Sequence, residues 1–148
     1  MNLILIENLA KSMMKDHGLN DWRFEFDRSK SRLGCCKYSE KVISLSKFLS
    51  PLREERFIKD TILHEIAHAL VGPKHGHNDI WRRKAISIGC LGNRCSSDIQ
   101  IEGKYKSVCK FCNTTQTYHR LPKRERSCGV CYPHAYNPHY KIEIILNK

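Results

Sequence analysis

Residues 61 to 70 read Thr-Ile-Leu-His-Glu-Ile-Ala-His-Ala-Leu, an H-E-x-x-H motif inside an apolar run free of helix breakers. Two histidines four residues apart can serve one ion only if the chain is helical there, because side chains at i and i+4 lie one above the other on an α-helix. His64 and His68 then converge, and Glu65 lies beside them. Ile58, Ile62, Ile66 and Ala69 fall on a separate apolar face, so this helix can pack on a core without burying the histidines in it. Ser50-Pro51 is a helix start and Gly72-Pro73 a stop, which predicts a helix over most of 51–71. Chemically, the motif is that of a zinc hydrolase: His64 and His68 as ligands, Glu65 as acid/base.

Catalytic zinc usually takes three protein ligands and keeps one position open. A third histidine six residues beyond the second, with glycine three beyond, fails because Lys74 and Val71 stand there. A downstream glutamate ligand fails too, since no Glu occurs between Glu65 and Glu102. A loop histidine is left. His75 and His77 both qualify by spacing, and Gly76 between them leaves the loop free to aim either. His77 is preferred because Asn78 and Asp79 can cap a following helix through Ile88, placing the ligand on firm backbone. Asp79 is an alternative acceptor for a ligating imidazole. The helix would bury Trp81, Ala85 and Ile88 and expose Arg82, Arg83 and Lys84.

Upstream, Leu3, Ile6, Leu9, Ala10, Met13 and Met14 recur at helical spacing, with Gly18 as a stop. Trp22 to Phe26 alternates apolar and polar, Leu33 to Tyr38 and Lys41 to Leu45 follow as strands, and Ser39-Glu40 makes a tight turn. The expected sheet is an antiparallel meander of three strands. Cys35 and Cys36 point to opposite faces of the middle strand and read as small, semi-buried thiols. Cys90 and Cys95 could pair, bind metal or be buried thiols, and the last reading is preferred. Arg28, Lys30 and Arg32 could track a phosphate backbone or sit on a solvated turn.

Cys109-x-x-Cys112 and Cys128-x-x-Cys131, fifteen residues apart, have the spacing of a zinc ribbon, in which two knuckles place four thiolates around a structural Zn²⁺. Thr115 to His119 and Lys141 to Leu146 are expected as its strands. His119, His134 and His139 are read as surface or packing residues. The net charge of +11 implies an acidic partner. It is densest in residues 99–148, with 9 Lys+Arg against 3 Asp+Glu, or +6, where residues 1–98 carry 17 against 12, or +5. Four thiolates around one zinc contribute −2 and lower the former excess to +4. The loop residues Arg120, Lys123, Arg124 and Arg126, with Tyr118, suit a nucleic-acid backbone with exposed bases. No run approaches a membrane span, and the opening Met1 to Leu9 is too short in its apolar core for a signal peptide, so an intracellular monomer without membrane contact is expected.

The order of parts resembles the SprT-like metalloprotease family: a helix, a W-x-F-x-F strand, a Gly-Cys strand, the Asp60 to Leu70 helix, Gly76-His77-Asn78-Asp79-Ile80-Trp81, then the four ribbon cysteines. Where the family has Gly-Pro after its third histidine, this chain has Asn78-Asp79. The resemblance implies His64, His68 and His77 as ligands of a catalytic zinc, Glu65 as acid/base, and a DNA-associated protease. The fold expected is α+β: helices on a small three-stranded antiparallel sheet in a SprT-like domain (1–98), then a four-cysteine zinc-ribbon subdomain (99–148). The function expected is zinc-dependent cleavage of proteins bound to single-stranded or distorted DNA. A non-catalytic DNA-binding protein with a structural H-E-x-x-H site is the alternative.

Overall fold

Asn2 opens the first helix, α1 (Leu3–Asp16), by accepting a 2.9 Å hydrogen bond from the Leu5 N–H. Ile6, Ala10 and Met14 form its buried stripe. The helix closes with the paired bonds Leu19 N to Met14 O and Gly18 N to Lys15 O, with Gly18 at φ 77°, a conformation that glycine adopts without strain. The computed structural model describes residues 1–94 and 101–148, so Cys95 lies outside the described residues. Two compact units divide the chain, Met1–Gln100 and Ile101–Lys148.

In the first unit, β1 (Arg23–Asp27), β2 (Gly34–Lys37) and β3 (Val42–Ser46) form one sheet in the order β1-β3-β2. The expected antiparallel meander is therefore corrected. β3 runs antiparallel to β2 but parallel to β1, with Phe24 opposite Ile43 and Cys36 opposite Ile43 on the other side. The physical reason lies in β3, whose five residues are all buried. A meander would have left this strand at an edge. Its two serines are satisfied inside: Ser44 Oγ donates to Asp27 Oδ2 at 2.7 Å and Ser46 Oγ to Ser29 O at 2.6 Å.

Ser50–Leu52 forms a separate short 3₁₀ turn, and Arg53 after it is extended. The helix carrying the histidines, α2 (Glu55–Val71), therefore starts later than Ser50-Pro51 predicts. Pro51 supports the turn, and the extended Arg53 and Glu54 interrupt the helical path. Ile58, Ile62 and Ile66 of α2 meet Ile6, Ala10 and Met14 of α1 and Ile43 and Leu45 of β3 in the main core. α3 (Asp79–Ser87) follows, and its Trp81 and Ala85 bury against Ala67 and Cys90 in a second cluster.

In the second unit, β4 (Tyr105–Val108) is the central strand, antiparallel to both β5 (Thr115–Tyr118) and β6 (Ile144–Leu146). Lys141, expected within the last strand, instead makes an isolated bridge to Ser127. The buried cluster here is Cys109, Cys128 and Ile142, with Cys131 and Tyr140 packed on it. No helix among the described residues is long and apolar enough to cross a membrane.

Candidate active site

His64 and His68 stand one turn apart on α2, and His77 reaches them from the loop just before α3. The Nε2 atoms are 3.3 Å apart for His64 and His68, 3.1 Å for His68 and His77, and 3.0 Å for His77 and His64. Tetrahedral zinc with Zn–N of about 2.0–2.1 Å separates its nitrogens by about 3.3–3.4 Å, so the three donors lie within about 0.4 Å of the spacing such an ion requires. His75 stands apart, its Nδ1 facing Asn78 Nδ2 at 3.3 Å. Asp79 is exposed and orients no imidazole among the described residues.

Asn78 fixes the third arm: its side chain caps α3 by accepting from the Trp81 N–H at 3.1 Å. Trp81 is fully buried, and its ring centroid lies 4.6 Å from His64, 5.1 Å from His68 and 4.6 Å from His77. One indole thus supports all three imidazoles. His68 Nδ1 is buried without a hydrogen-bond partner among the described residues, so that ring is oriented chiefly by stacking on Trp81 at 25°.

Electrostatics keep the three rings in their ligand form. Desolvation, then the neighbouring His77, lowers His64 to about 4. Desolvation, then His64 and His77, lowers His68 to about 4. His77 is lowered by desolvation and by Arg94. Glu65 is buried, and desolvation raises its carboxyl to about 8 against an opposing pull from Arg32. A carboxyl tuned near neutrality can both take and return a proton.

Glu65 is accommodated by an absent side chain. A Cβ on Gly34 of β2 would lie 2.8 Å from Glu65 Oε1 and 2.9 Å from Thr61 Cγ2. Cys36, two residues along β2, is only partly buried, and desolvation pushes its thiol up to about 12. Cys90 is buried and pushed up to about 11 by the same cause. Both are inert thiols at neutral pH.

The second metal-type cluster is the set Cys109, Cys112, Cys128 and Cys131, whose sulfurs all lie within 4.8 Å of one another. Cys109 and Cys131 sulfurs are 3.7 Å apart, Cys112 and Cys128 3.6 Å, against about 3.8 Å for four thiolates around zinc at about 2.3 Å. Hydrogen bonds from the Cys112 and Phe111 backbone lower Cys109, and those from Thr114 bring Cys112 to about 6. Desolvation and its neighbour Cys112 push Cys131 the other way, up to about 12, so all four can ionise together only with a cation between them.

A sequence model of the SprT-like family matches residues 4–101. The chain belongs to the SprT-like family. Solved structures similar to this SprT-like chain include the metallopeptidase zymogen jannalysin of Methanocaldococcus jannaschii, at 17% identity and a TM-score of 0.49, covering 55% of this chain and 79% of that one. Another is the zymogen of abylysin from Pyrococcus abyssi, at 17% identity and a TM-score of 0.46, covering 54% and 75%. No curated protein matches the chain.

Of the residues singled out for nucleic acid, Arg120, Lys123, Arg124 and Arg126 are exposed and make no ion pair among the described residues. Arg126 lies 5.7 Å over the ring of Tyr118, whose hydroxyl is held by Gln116 at 2.9 Å. Residue patterns miss the support of Trp81 for all three imidazoles and the space left by Gly34. Trp81 gave a signal only as a buried helix position. The ribbon also carries an unanticipated aromatic group, Phe111, Tyr132, His139 and Tyr140, with Phe111 5.0 Å from His139 and 5.2 Å from Tyr140.

Proposed function

We propose that this SprT-like chain is a zinc-dependent endopeptidase acting on proteins associated with DNA, with one catalytic and one structural zinc. The observation that carries the reading is the convergence of the His64, His68 and His77 Nε2 atoms beside the buried Glu65. Zn²⁺ held there supplies a Lewis acid that acidifies water and polarises a peptide carbonyl. Glu65 accepts the proton of the attacking water and passes it to the leaving amine. Its raised affinity for protons suits the second half of that task, and the positive charge of the ion favours the ionised form needed for the first. Trp81 holds the rings in place throughout, so little reorganisation is needed between binding and reaction.

The DNA-directed part of the reading is supported by the exposed Arg120, Lys123, Arg124 and Arg126 with Tyr118, and by the +6 excess of residues 99–148. Single-stranded or distorted DNA would gather protein substrates there, with the chain acting as a monomer. Zinc-loaded protein is assayed on casein with and without single-stranded DNA, beside Glu65→Gln. DNA-stimulated cleavage lost in Glu65→Gln, with zinc still bound, is the expected result. Retained cleavage in that variant would remove the assignment, and DNA binding without any cleavage would make the three-histidine site a structural one.

A further inference from the structure

Beyond the ribbon, the first unit carries its own cluster of cations around an aromatic ring, at the end of the sheet that leads into β2. Two loops meet there, residues 28–33 between β1 and β2 and residues 47–49 after β3. Ser46, fully buried, ties them together. Its Oγ donates to Ser29 O at 2.6 Å and accepts from the Phe48 and Leu49 N–H groups at 3.2 and 3.0 Å. Its N–H donates to Leu33 O at 2.8 Å, and the Lys47 N–H to Asp27 O at 3.0 Å. Asp27 Oδ1 and Ser29 Oγ in turn accept from the backbone N–H groups of Ser29 and Arg32, at 2.9 and 3.0 Å. Both loops are therefore built surfaces with fixed backbone.

What they present is charge around one exposed ring. Lys30 Nζ lies 5.4 Å and Lys47 Nζ 5.0 Å from the ring centroid of Phe48, which is 37% exposed. Arg28, Lys30 and Lys47 make no ion pair among the described residues, and Arg32 is the one cation of the group paired, with Asp27 at 3.3 Å. An ammonium over an exposed ring is held by only about 0.5–1 kcal/mol. A phosphate can therefore draw each lysine away and leave the ring face to a base, whose stacking is worth about 1–3 kcal/mol. An acidic peptide would satisfy the lysines but has no use for the ring.

We infer that residues 28–32 with Lys47 and Phe48 form a binding site for single-stranded nucleic acid on the peptidase unit itself, phosphates meeting Arg28, Lys30 and Lys47 and a base stacking on Phe48. The inference rests on the DNA-directed reading above and deepens it by location. Residue 33 is followed by Gly34, which packs against Glu65, and the charge of Arg32 acts on that carboxyl. A strand held here lies next to the reacting centre within one unit.

The test measures binding of a fluorescein-labelled oligothymidine to the zinc-loaded full chain by anisotropy across salt concentrations. Wild type is compared with Lys30→Ala/Lys47→Ala/Phe48→Ala, with the charge reversal Lys30→Glu/Lys47→Glu, and with Arg120→Ala/Lys123→Ala/Arg124→Ala in the ribbon. The first two are expected to bind at least 5-fold more weakly at about 0.1 M salt. Losing two phosphate contacts flattens log K against log salt by about 1.4. Their DNA-independent peptide cleavage stays at the wild-type rate. Wild-type affinity and slope in both, with binding lost in the ribbon variant, overturns this site alone. A wild type that does not bind the oligonucleotide overturns the DNA-directed reading with it. Displacement of the oligonucleotide by polyglutamate at equal charge assigns the patch to acidic peptides instead and overturns the nucleic-acid assignment.

Discussion

Gly34 shows how a residue without a side chain can set the position of the carboxyl proposed to react. A Cβ there would press on both Glu65 Oε1 and Thr61 Cγ2, and neither can move far because Glu65 is buried against the strand. Gly34→Ala is expected to keep zinc bound, lower kcat about 100-fold by displacing the carboxyl, and cost about 1–3 kcal/mol of stability. Metal analysis, steady-state kinetics and urea melts check the three effects separately. Glu65 also leaves a signature in stability. Its carboxyl ionises near 4.5 when unfolded but only at about 8 when folded without metal. Between those values the unfolded state binds fewer protons, so this group makes the metal-free protein less stable as pH rises from about 4.5 to 8. Glu65→Gln removes that slope. In chelator, the variant should gain about 1–3 kcal/mol on wild type between pH 5 and pH 8, by urea denaturation at each pH. His64 and His68, lowered to about 4, act in the opposite sense, losing stability as pH falls through 6.5, and cancel in the comparison. None of this was legible from residue types alone: H-E-x-x-H named Glu65, but the desolvation that tunes it comes from packing against a distant strand.

Among the elements, α2 and α3 were readable because their signals are local. The i, i+4 histidines, the apolar stripe of α2 and the Asn78 cap each act within one or two turns. Strand partners are different. The alternation of Trp22 to Phe26 marks a half-buried strand but carries nothing about which neighbour it pairs with, so the parallel β1–β3 pairing escaped. The burial of Ser44 and Ser46 is as little local, since it depends on Asp27 and Ser29 far along the chain. The extended Arg53, which cuts the 3₁₀ turn from α2, is likewise masked by a good Ser-Pro start. The Asn78 cap offers a test at this scale. Asn78→Ala should cost about 1 kcal/mol by removing the bond to Trp81 N, and because His77 adjoins the cap, zinc affinity should fall as well. Thermal melts with and without zinc separate the two: a loss larger in the presence of zinc is the expected outcome, and an equal loss would show that the cap does not hold the ligand.

Across the whole molecule, the two candidate metal clusters stand in different surroundings, one in each unit. The first unit buries Ile6, Ile43, Leu45, Ile58, Ile62, Ile66 and their neighbours, a core that does not depend on the three histidines. The second buries little beyond Cys109, Cys128 and Ile142, so its fold is expected to rest on an ion that those sulfurs are spaced to hold. C-x-x-C spacing made that dependence legible; the aromatic group around Phe111 and Tyr140 was not, because its members come from separate turns. Two variants turn the contrast into a measurement. Cys128→Ser should lower bound zinc from about two ions per chain to about one and collapse the amide signals of residues 101–148, while those of the first unit stay dispersed. His68→Ala should lower zinc by the same count and abolish cleavage, yet leave both sets of amide signals folded. Collapse of the first unit in His68→Ala would mean that its core does need the metal, and a folded ribbon in Cys128→Ser would mean that the four sulfurs are not what holds the second unit together.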